Sequence, residues 1–227
     1  MLQDPKKIFD VNSAVIQELV KERNWLNLID RNKIVRILNF VKNDIIFGFS
    51  KKPLLSASNV LSEGRGYALT KSILLKTLLD ASGILCRFHA FRVNKALYQG
   101  LVTPMTYNML PDHLMSAWVE VFYENQWLVV DGVLLDDAYF ESLEKNFHEA
   151  QKEFIGLGCA VFLDSGIQTT WNGKNHSYCQ RAAITRDLGV IEEFDWFFTE
   201  FVKDFKQLGK IKPKFANRII HSRRFDK

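Results

Sequence analysis

The sequence predicts an α+β protein in which a buried central helix packs on an antiparallel sheet with flanking helices. Residues 67–80 are apolar around most of a helical circumference, as expected of a buried helix. Residues 84–93 and 117–123 are instead rich in β-branched and aromatic side chains, which is typical of strands. The short polar segment 124–126 joins the second strand to a third, at 127–131, in a predicted hairpin.

The spacing of apolar residues predicts helices before the core. Residues 12–25 and 31–47 repeat apolar side chains every three or four positions, so two amphipathic N-terminal helices are predicted within 12–47. The core is expected at 57–140. No internal repeat, low-complexity tract or Pro/Gly/Ser linker interrupts the chain, so one domain spanning 1–227 is predicted.

The remaining elements are predicted with less regular patterns. Residues 136–147 indicate a further helix, and residues 192–205 a late helix rich in Phe and Trp. Residues 94–115 have few periodic signals, so a lid or insertion is expected there. A helical and basic segment is predicted at the C-terminal end, residues 190–227.

The composition excludes several classes of protein. Of the 227 residues 47% are hydrophobic, and 18 Phe with 5 Trp argue against disorder. No run approaches the ~18 apolar residues of a membrane-spanning helix, and residues 1–7 lack the pattern of a secretory signal. We therefore expect a cytoplasmic protein without membrane association. Three cysteines without a CxxC pair indicate neither a disulfide framework nor a zinc site, and no cofactor or metal is predicted.

The net charge of +4 is unevenly distributed. Residues from Lys203 onward carry +7, and the preceding residues carry −3. Such an end could contact nucleic acid. The alternation of basic and apolar residues favours a solvated amphipathic helix at 212–224 instead, with Phe215, Ile219 and Ile220 packed on the body. Nucleic acid is therefore not the expected partner.

An ordered series of motifs is more specific. Gly-Arg-Gly-Tyr at 64–67 precedes the buried helix, Ala-Trp-Val-Glu-Val occupies 117–121, and Trp-Leu-Val-Val-Asp occupies 127–131. This order resembles the transglutaminase-like superfamily of papain-like cysteine enzymes, and the resemblance covers residues 61–139 closely. It implies that a nucleophilic Cys opens the central helix in a Gly-x-Cys-x-x-Lys motif. It further implies a His at the start of a strand reading His-(Ala/Ser)-Trp-Val-Glu-Val, and an acid on the next strand.

The chemistry of that arrangement explains its spacing. A thiolate at a helix N-terminus is stabilised by the helix dipole, a His removes its proton, and an acid orients the imidazole. Here the resemblance places Ala68 at the nucleophile position and Ser116 at the histidine position, and only the acid survives, as Asp131. Alanine offers no nucleophile, and serine is not a useful base near neutral pH. Thiol acyl transfer through these positions is therefore excluded, and the double loss favours natural divergence.

Other residues are expected to line the cleft at these positions. Tyr67 precedes Ala68, Trp118 shares a strand face with Ser116, and His113 lies three residues before Ser116. A solvent-facing His113 is the competing interpretation, as are a core role for Trp118 and a solvated Lys71. If buried, Asp131 is expected to have a raised pKa.

Four functions remain open. The first is a degenerate protein that binds a peptide, amide or protein partner in the cleft. The second is a repurposed enzyme that uses acid–base groups such as Asp131 to cyclise, isomerise or condense a small or carrier-bound substrate. A thiol enzyme that uses Cys86 with His113, and nucleic-acid binding by the basic end, are weaker alternatives.

Overall fold

The computed structural model describes residues 7–147, 150, 152–164 and 169–225. Residues 1–6, most of the segment that lacks the pattern of a secretory signal, lie outside these residues, as do the last two residues of the basic end. Within the described residues the helices are α1 (Ala14–Glu22), α2 (Asp30–Asn39), α3 (Ala57–Glu63), α4 (Ala68–Ala81), α5 (Pro104–Met109), α6 (Asp137–Phe147), α7 (Phe194–Glu200), α8 (Val202–Leu208) and α9 (Pro213–Phe225). The strands are β1 (Ile46–Phe47), β2 (Arg65–Gly66), β3 (Cys86–Asn94), β4 (His113–Tyr123), β5 (Gln126–Val129), β6 (Glu153–Gly156), β7 (Cys159–Phe162) and β8 (Ile184–Val190).

The central sheet has four antiparallel strands in the order β5-β4-β3-β8. The pairing of β3 with β4 sets Phe91 opposite Ser116 and His89 opposite Trp118. Cross-strand partners share a face of the sheet, and alternate residues of one strand do too. These four side chains therefore lie on one face, which confirms the prediction that Trp118 shares a face with Ser116.

Helix α4 is the predicted central helix. Its residues are buried along almost the whole length, and Ser72 Oγ donates a hydrogen bond of 2.9 Å to the carbonyl of Ala117 on β4. The helix begins after Tyr67, whose backbone N–H donates to Thr70 Oγ1 at 3.0 Å. At Gly66 a Cβ atom would lie 2.8 Å from that same hydroxyl oxygen, so only glycine fits this close approach. The predicted α+β class, with a buried helix on an antiparallel sheet, is confirmed.

The segment predicted as a lid is packed against the body. Residues 94–115 contain a 3₁₀ turn at Lys95–Tyr98, the six-residue helix α5 and the start of β4. Leu97 and Leu101 are fully or almost fully buried. These elements agree with the insertion that was the alternative to a lid, and they were not predicted individually because elements this short have no room for a repeating apolar pattern.

The late helices also differ from their prediction. The segment at 192–205 forms α7 and α8, and the basic segment forms α9. Ile220 packs on the body as predicted, but the Phe215 side chain is 56% exposed. Ile219 is half-buried, and Ala216 is buried in place of Phe215, because the buried stripe of α9 runs through positions 216 and 220.

Helix α9 is fixed to the body by a buried ion pair. Arg224 donates from Nε and Nη2 to the two carboxylate oxygens of Asp136, at 2.8 and 2.7 Å. Burial alone would raise the pKa of Asp136, but the bonds from Arg224 and from the Phe47 N–H outweigh it and lower the pKa. One of the basic residues of the C-terminal end therefore pairs within the protein and has a structural role.

Candidate functional site

Ala68 begins α4 in a buried, apolar environment. It borders a cavity whose walls include Phe49, Tyr98 and Leu101, and whose volume is about 10 Å³. A volume of this size is near the smallest that holds one water molecule. As formed by the described residues, this cavity therefore has no room for a ligand larger than a water molecule unless its lining side chains move.

Tyr67 forms part of the wall that closes this cavity. Its ring stacks on Phe49 with the centroids 5.6 Å apart, and its hydroxyl donates a short hydrogen bond to the carbonyl of Pro53. Burial raises the pKa of the Tyr67 hydroxyl, so this group stays protonated and acts as a donor. Tyr67 is a structural wall residue in this closed arrangement.

Ser116 and Asp131 are joined by a residue that the sequence did not single out. Ser116 Oγ donates to Gln180 Oε1 at 2.5 Å, and Gln180 Nε2 donates to Asp131 Oδ1 at 2.8 Å. All three side chains are buried. The Gln180 amide therefore occupies the space between the candidate histidine position and the candidate acid.

Both carboxylate oxygens of Asp131 are engaged. In addition to the Gln180 side chain, Oδ2 accepts from the backbone N–H groups of Cys179 and Gln180 at 2.6 and 2.8 Å. Burial raises the pKa of Asp131 to about 6, although these three hydrogen bonds act in the opposite direction. The raised pKa expected for a buried Asp131 is thus present, and the group titrates close to neutral pH.

Trp118 stands beside this cluster on the same sheet face. Its ring centroid lies 4.4 Å from that of Phe91 and 5.1 Å from that of His89, and Tyr178 packs edge-on against it. Its indole Nε1 donates to Glu120 Oε1 at 3.2 Å. Trp118 is therefore a core residue whose one polar atom is satisfied.

A charged network continues from Trp118 to the edge of the sheet. Glu120 binds Arg87 at 2.6 Å and His89 Nδ1 at 2.7 Å, and His89 Nε2 binds Asp187 at 2.6 Å. Burial would raise the pKa of Glu120, but the bonds from His89, Arg87 and Trp118 lower it to about 2. Burial would lower the pKa of His89, and its two carboxylate partners raise it instead. Because both ring nitrogens are bonded, His89 has no free position for a substrate.

His113 does not join the other candidate residues. It is exposed at the first position of β4, three residues before Ser116, and therefore faces the opposite side of the strand. Its Nδ1 lies 3.0 Å from Thr185 Oγ1 on β8. The structure favours the solvent-facing interpretation of His113 over a place in the cleft.

Lys71, for which a solvated position was the competing interpretation, lies in the interior. Its side chain is 1% exposed, and its Nζ donates to the carbonyls of Lys42 and Leu134 at 3.1 and 3.0 Å. Burial lowers the pKa of Lys71 to about 7, against the opposing effect of Asp136. The solvated interpretation was wrong, because two backbone carbonyls replace water around the ammonium group.

None of the three cysteines lies at the start of α4. All are free and buried. Cys86 Sγ contacts Asp80 Oδ1 at 3.2 Å, and burial beside that carboxylate raises the thiol pKa. The Sγ atoms of Cys159 and Cys179 lie 3.9 Å apart, and the contact with Cys159, together with burial, raises the pKa of Cys179. Buried thiols with raised pKa values are poor nucleophiles.

The residues that sequence reasoning missed are long-range partners. Gln180 carries no local motif, and only its distance from Asp131 in the fold reveals its role. The contact of His89 with Glu120 likewise depends on the pairing of β3 with β4, which sets His89 opposite Trp118. Over the described part of the chain, no group of three or more His, Cys, Asp or Glu side chains is arranged to bind a metal ion.

Comparison with known proteins agrees with this fold. The profile of the transglutaminase-like superfamily matches residues 22–132, a range that contains Ala68, Ser116 and Asp131. The chain thus has a transglutaminase-like fold. No curated protein matches the chain.

One solved structure is similar to part of the chain. It is described as a candidate cysteine protease from Cytophaga hutchinsonii, with 18% sequence identity and a TM-score of 0.39. The similarity covers 54% of this chain and 37% of that protein. The chain therefore spans well under half of that protein's length. None of the described helices is both long enough and apolar enough to cross a membrane.

Proposed function

We propose that this chain is a catalytically degenerate transglutaminase-like protein that acts by binding and not by thiol acyl transfer. Ala68 stands at the start of the central helix, Ser116 on β4, and Asp131 directly after the hairpin strand β5. This is the order in which the fold would place a cysteine, a histidine and an acid. Ala68 and Ser116 supply neither a nucleophile nor a base near neutral pH.

The hydrogen bonds of Gln180 carry this proposal. In a working triad an imidazole would lie between the acid and the thiol and would be oriented by the acid. Here the amide of Gln180 lies beside Asp131 and bonds to Ser116 in the same interior space. The carboxylate that would orient an imidazole is instead saturated by one side chain and two backbone N–H groups. This arrangement occupies the polar atoms of Ser116 and Asp131 and contains no thiol.

The proposed ligand is a peptide, an amide or a protein partner that enters beside Ala68. Since the cavity there measures about 10 Å³, entry requires side chains of its lining, which includes Tyr67 and Phe49, to move aside. A cytoplasmic location is part of the proposal. The three free cysteines support it, because reducing compartments keep thiols unpaired.

The first test is an acyl-transfer assay with a glutamine-containing peptide as donor and hydroxylamine as acceptor. We expect no hydroxamate above the background given by unfolded protein. The variant Cys86→Ser serves as the matched comparison, because Cys86 is the only thiol that the sequence suggested as a displaced nucleophile. Product formation that disappears in Cys86→Ser would overturn the proposal.

A repurposed acid–base enzyme is the second candidate, and one observation favours it. Asp131 and Lys71 are both buried with pKa values near neutrality, about 6 and about 7, and such shifts are common at catalytic sites. Any substrate would first have to reach them. Among the described residues, the polar atoms of both side chains already bond to protein partners.

Native-state reactivity of Cys179 distinguishes these two candidates. Its backbone N–H bonds to Asp131, and its thiol is fully buried. If substrates enter, local opening should let a small thiol reagent modify Cys179 far faster than global unfolding permits. We expect Cys179 and Cys86 to react at the same rate, limited by unfolding. Selective rapid reaction of Cys179 would favour the enzyme.

A further inference from the structure

A basic groove lies where three separate parts of the chain meet. The loop at 51–53, helix α5 and the segment 202–212 form its walls around a volume of about 960 Å³. Five of its lining residues are lysines: Lys51, Lys52, Lys206, Lys210 and Lys212. None of its lining residues is acidic. The groove therefore concentrates positive charge from residues distant in sequence.

The lysines of the groove are available for a partner. Across the described part of the chain, none of the five forms an ion pair. Lys210 Nζ donates to the carbonyl of Met109 at 2.9 Å, which fixes that ammonium group against α5. Five like charges in one groove repel one another, and a negatively charged partner would relieve this repulsion.

Two exposed methionines provide apolar contacts in the same groove. Met105 and Met109 lie four residues apart on α5, so they share a helix face, and they are 74% and 54% exposed. Pro53 and Val202 extend the apolar surface. Methionine side chains are flexible and polarisable, and they adapt to the apolar side chains of a partner helix.

We propose that this groove binds an acidic amphipathic helix of a protein partner. The methionines would take the apolar face of that helix, and the lysines at the rim would pair with its carboxylates. A single-stranded nucleic acid fits less well, because the lining contains neither an aromatic residue nor an arginine on which bases could stack. A membrane fits less well because the surface is concave. None of the groove residues belongs to the Ser116–Gln180–Asp131 cluster, so this proposal does not depend on the proposed function.

A synthetic peptide tests the proposal with the full-length protein. The probe is a fluorescent helix with glutamates along one face and leucines along the other, and a scrambled peptide of equal composition is the comparison. We expect saturable binding of the amphipathic peptide by fluorescence anisotropy. Binding should weaken about tenfold between about 50 mM and about 300 mM salt, because exposed charges are screened. The scrambled peptide should bind at least about tenfold more weakly, because it cannot present both faces at once.

Matched charge reversals locate the binding. Lys206→Glu combined with Lys212→Glu should weaken peptide binding at least about tenfold. Lys21→Glu combined with Lys174→Glu makes the same change in net charge at exposed positions outside the groove, and it should change binding by less than about twofold. All four positions are exposed, so their substitution should leave the thermal midpoint almost unchanged.

The apolar contribution is tested separately. Met105→Ser combined with Met109→Ser should weaken binding about fivefold or more, which is expected when two apolar anchors are lost. Phe215→Ser removes an equally exposed apolar side chain outside the groove and should have no effect.

Three results would overturn the proposal. The first is no saturable binding at about 1 mM peptide, which is weaker than a specific contact of this kind requires. The second is equal binding by both peptides or by the two pairs of lysine variants. The third is that the peptide does not bind, whereas double-stranded DNA or vesicles containing phosphatidylserine do bind and lose that binding when Lys206 and Lys212 are replaced by Glu.

Discussion

Substitution of Asp131 by Asn should stabilise this protein near neutral pH, although it removes a buried, fully hydrogen-bonded carboxylate. Burial raises the pKa of Asp131 from 3.8 to about 6. The folded state therefore binds this proton more tightly than the unfolded state does. The stability contributed by this group is fully present below about pH 3.8 and is lost as the pH rises through about 6.

The size of the effect follows from the shift. Roughly two pKa units correspond to about 3 kcal/mol at 1.36 kcal/mol per unit. The amide of the variant at position 131 resembles the protonated form of Asp131. If the Gln180 amide rotates, its Oε1 atom can accept a hydrogen bond from the NH₂ group of the new side chain. Ser116 would then lose its acceptor, which costs about 1 kcal/mol. We expect Asp131→Asn to be about 2 kcal/mol more stable than the wild type at about pH 8.

The assay is urea unfolding followed by the fluorescence of the five tryptophans across a pH series. The advantage of the variant should shrink as the pH falls below about 6, vanish near about pH 4.5, and reverse at lower pH, where Asp131 is protonated in both the folded and the unfolded wild type. Asp136→Asn is the matched control, because Arg224 and other partners lower the pKa of Asp136, and the loss of its charge should destabilise the fold at neutral pH. A variant Asp131→Asn that is less stable than the wild type at about pH 8, with an unchanged pH profile, would refute the reasoning.

Three further substitutions test other buried polar contacts. Gln180→Leu removes a bond from Asp131 and should lower the free energy of unfolding by about 3 kcal/mol, as measured by urea unfolding at neutral pH. Arg224→Met leaves Asp136 buried without its partner and should cost about 3–5 kcal/mol. Calorimetry would show this as a lower thermal midpoint, and an unchanged midpoint would contradict the buried ion pair. The folded state disfavours protonated Lys71, so wild-type stability should decline as the pH falls from 10.5 towards about 7. Lys71→Met should flatten that decline, and an identical profile in both proteins would count against a buried amine.

The sequence was sufficient to predict the central helix and the strand that packs beside it. Helix α4 has a long, nearly uniform apolar surface, which only a buried helix can accommodate. Side chains alternate between the two faces of a strand, and this rule was sufficient to place Ser116 and Trp118 on one face of β4. These features depend on local periodicity, and local periodicity is visible in a single sequence.

The hydrogen bonds of the candidate site depend on long-range contacts that no local sequence pattern predicts. Gln180 reaches Asp131 across 49 residues, and an isolated glutamine gives no sign of such a partner. Lys71 is buried because the carbonyls of Lys42 and Leu134 happen to converge on its ammonium group. His113 is near Ser116 in sequence, but the odd spacing sends it to the other face of the strand.

The central claim is that positions 68 and 116 are the degenerate cysteine and histidine positions, and a thiol titration tests it most directly. The variant Ala68→Cys/Ser116→His/Gln180→Ala restores both groups and clears space for the imidazole. Ala68→Cys/Ser116→Ala/Gln180→Ala is identical except that it lacks the imidazole. The pKa of the introduced thiol is read from the ultraviolet absorbance of the thiolate, after subtraction of the same backgrounds with Ala68 retained. We predict a pKa lower by at least about one unit in the variant with histidine, because an adjacent imidazolium stabilises a thiolate. Equal thiol pKa values in the two correctly folded variants would contradict the account.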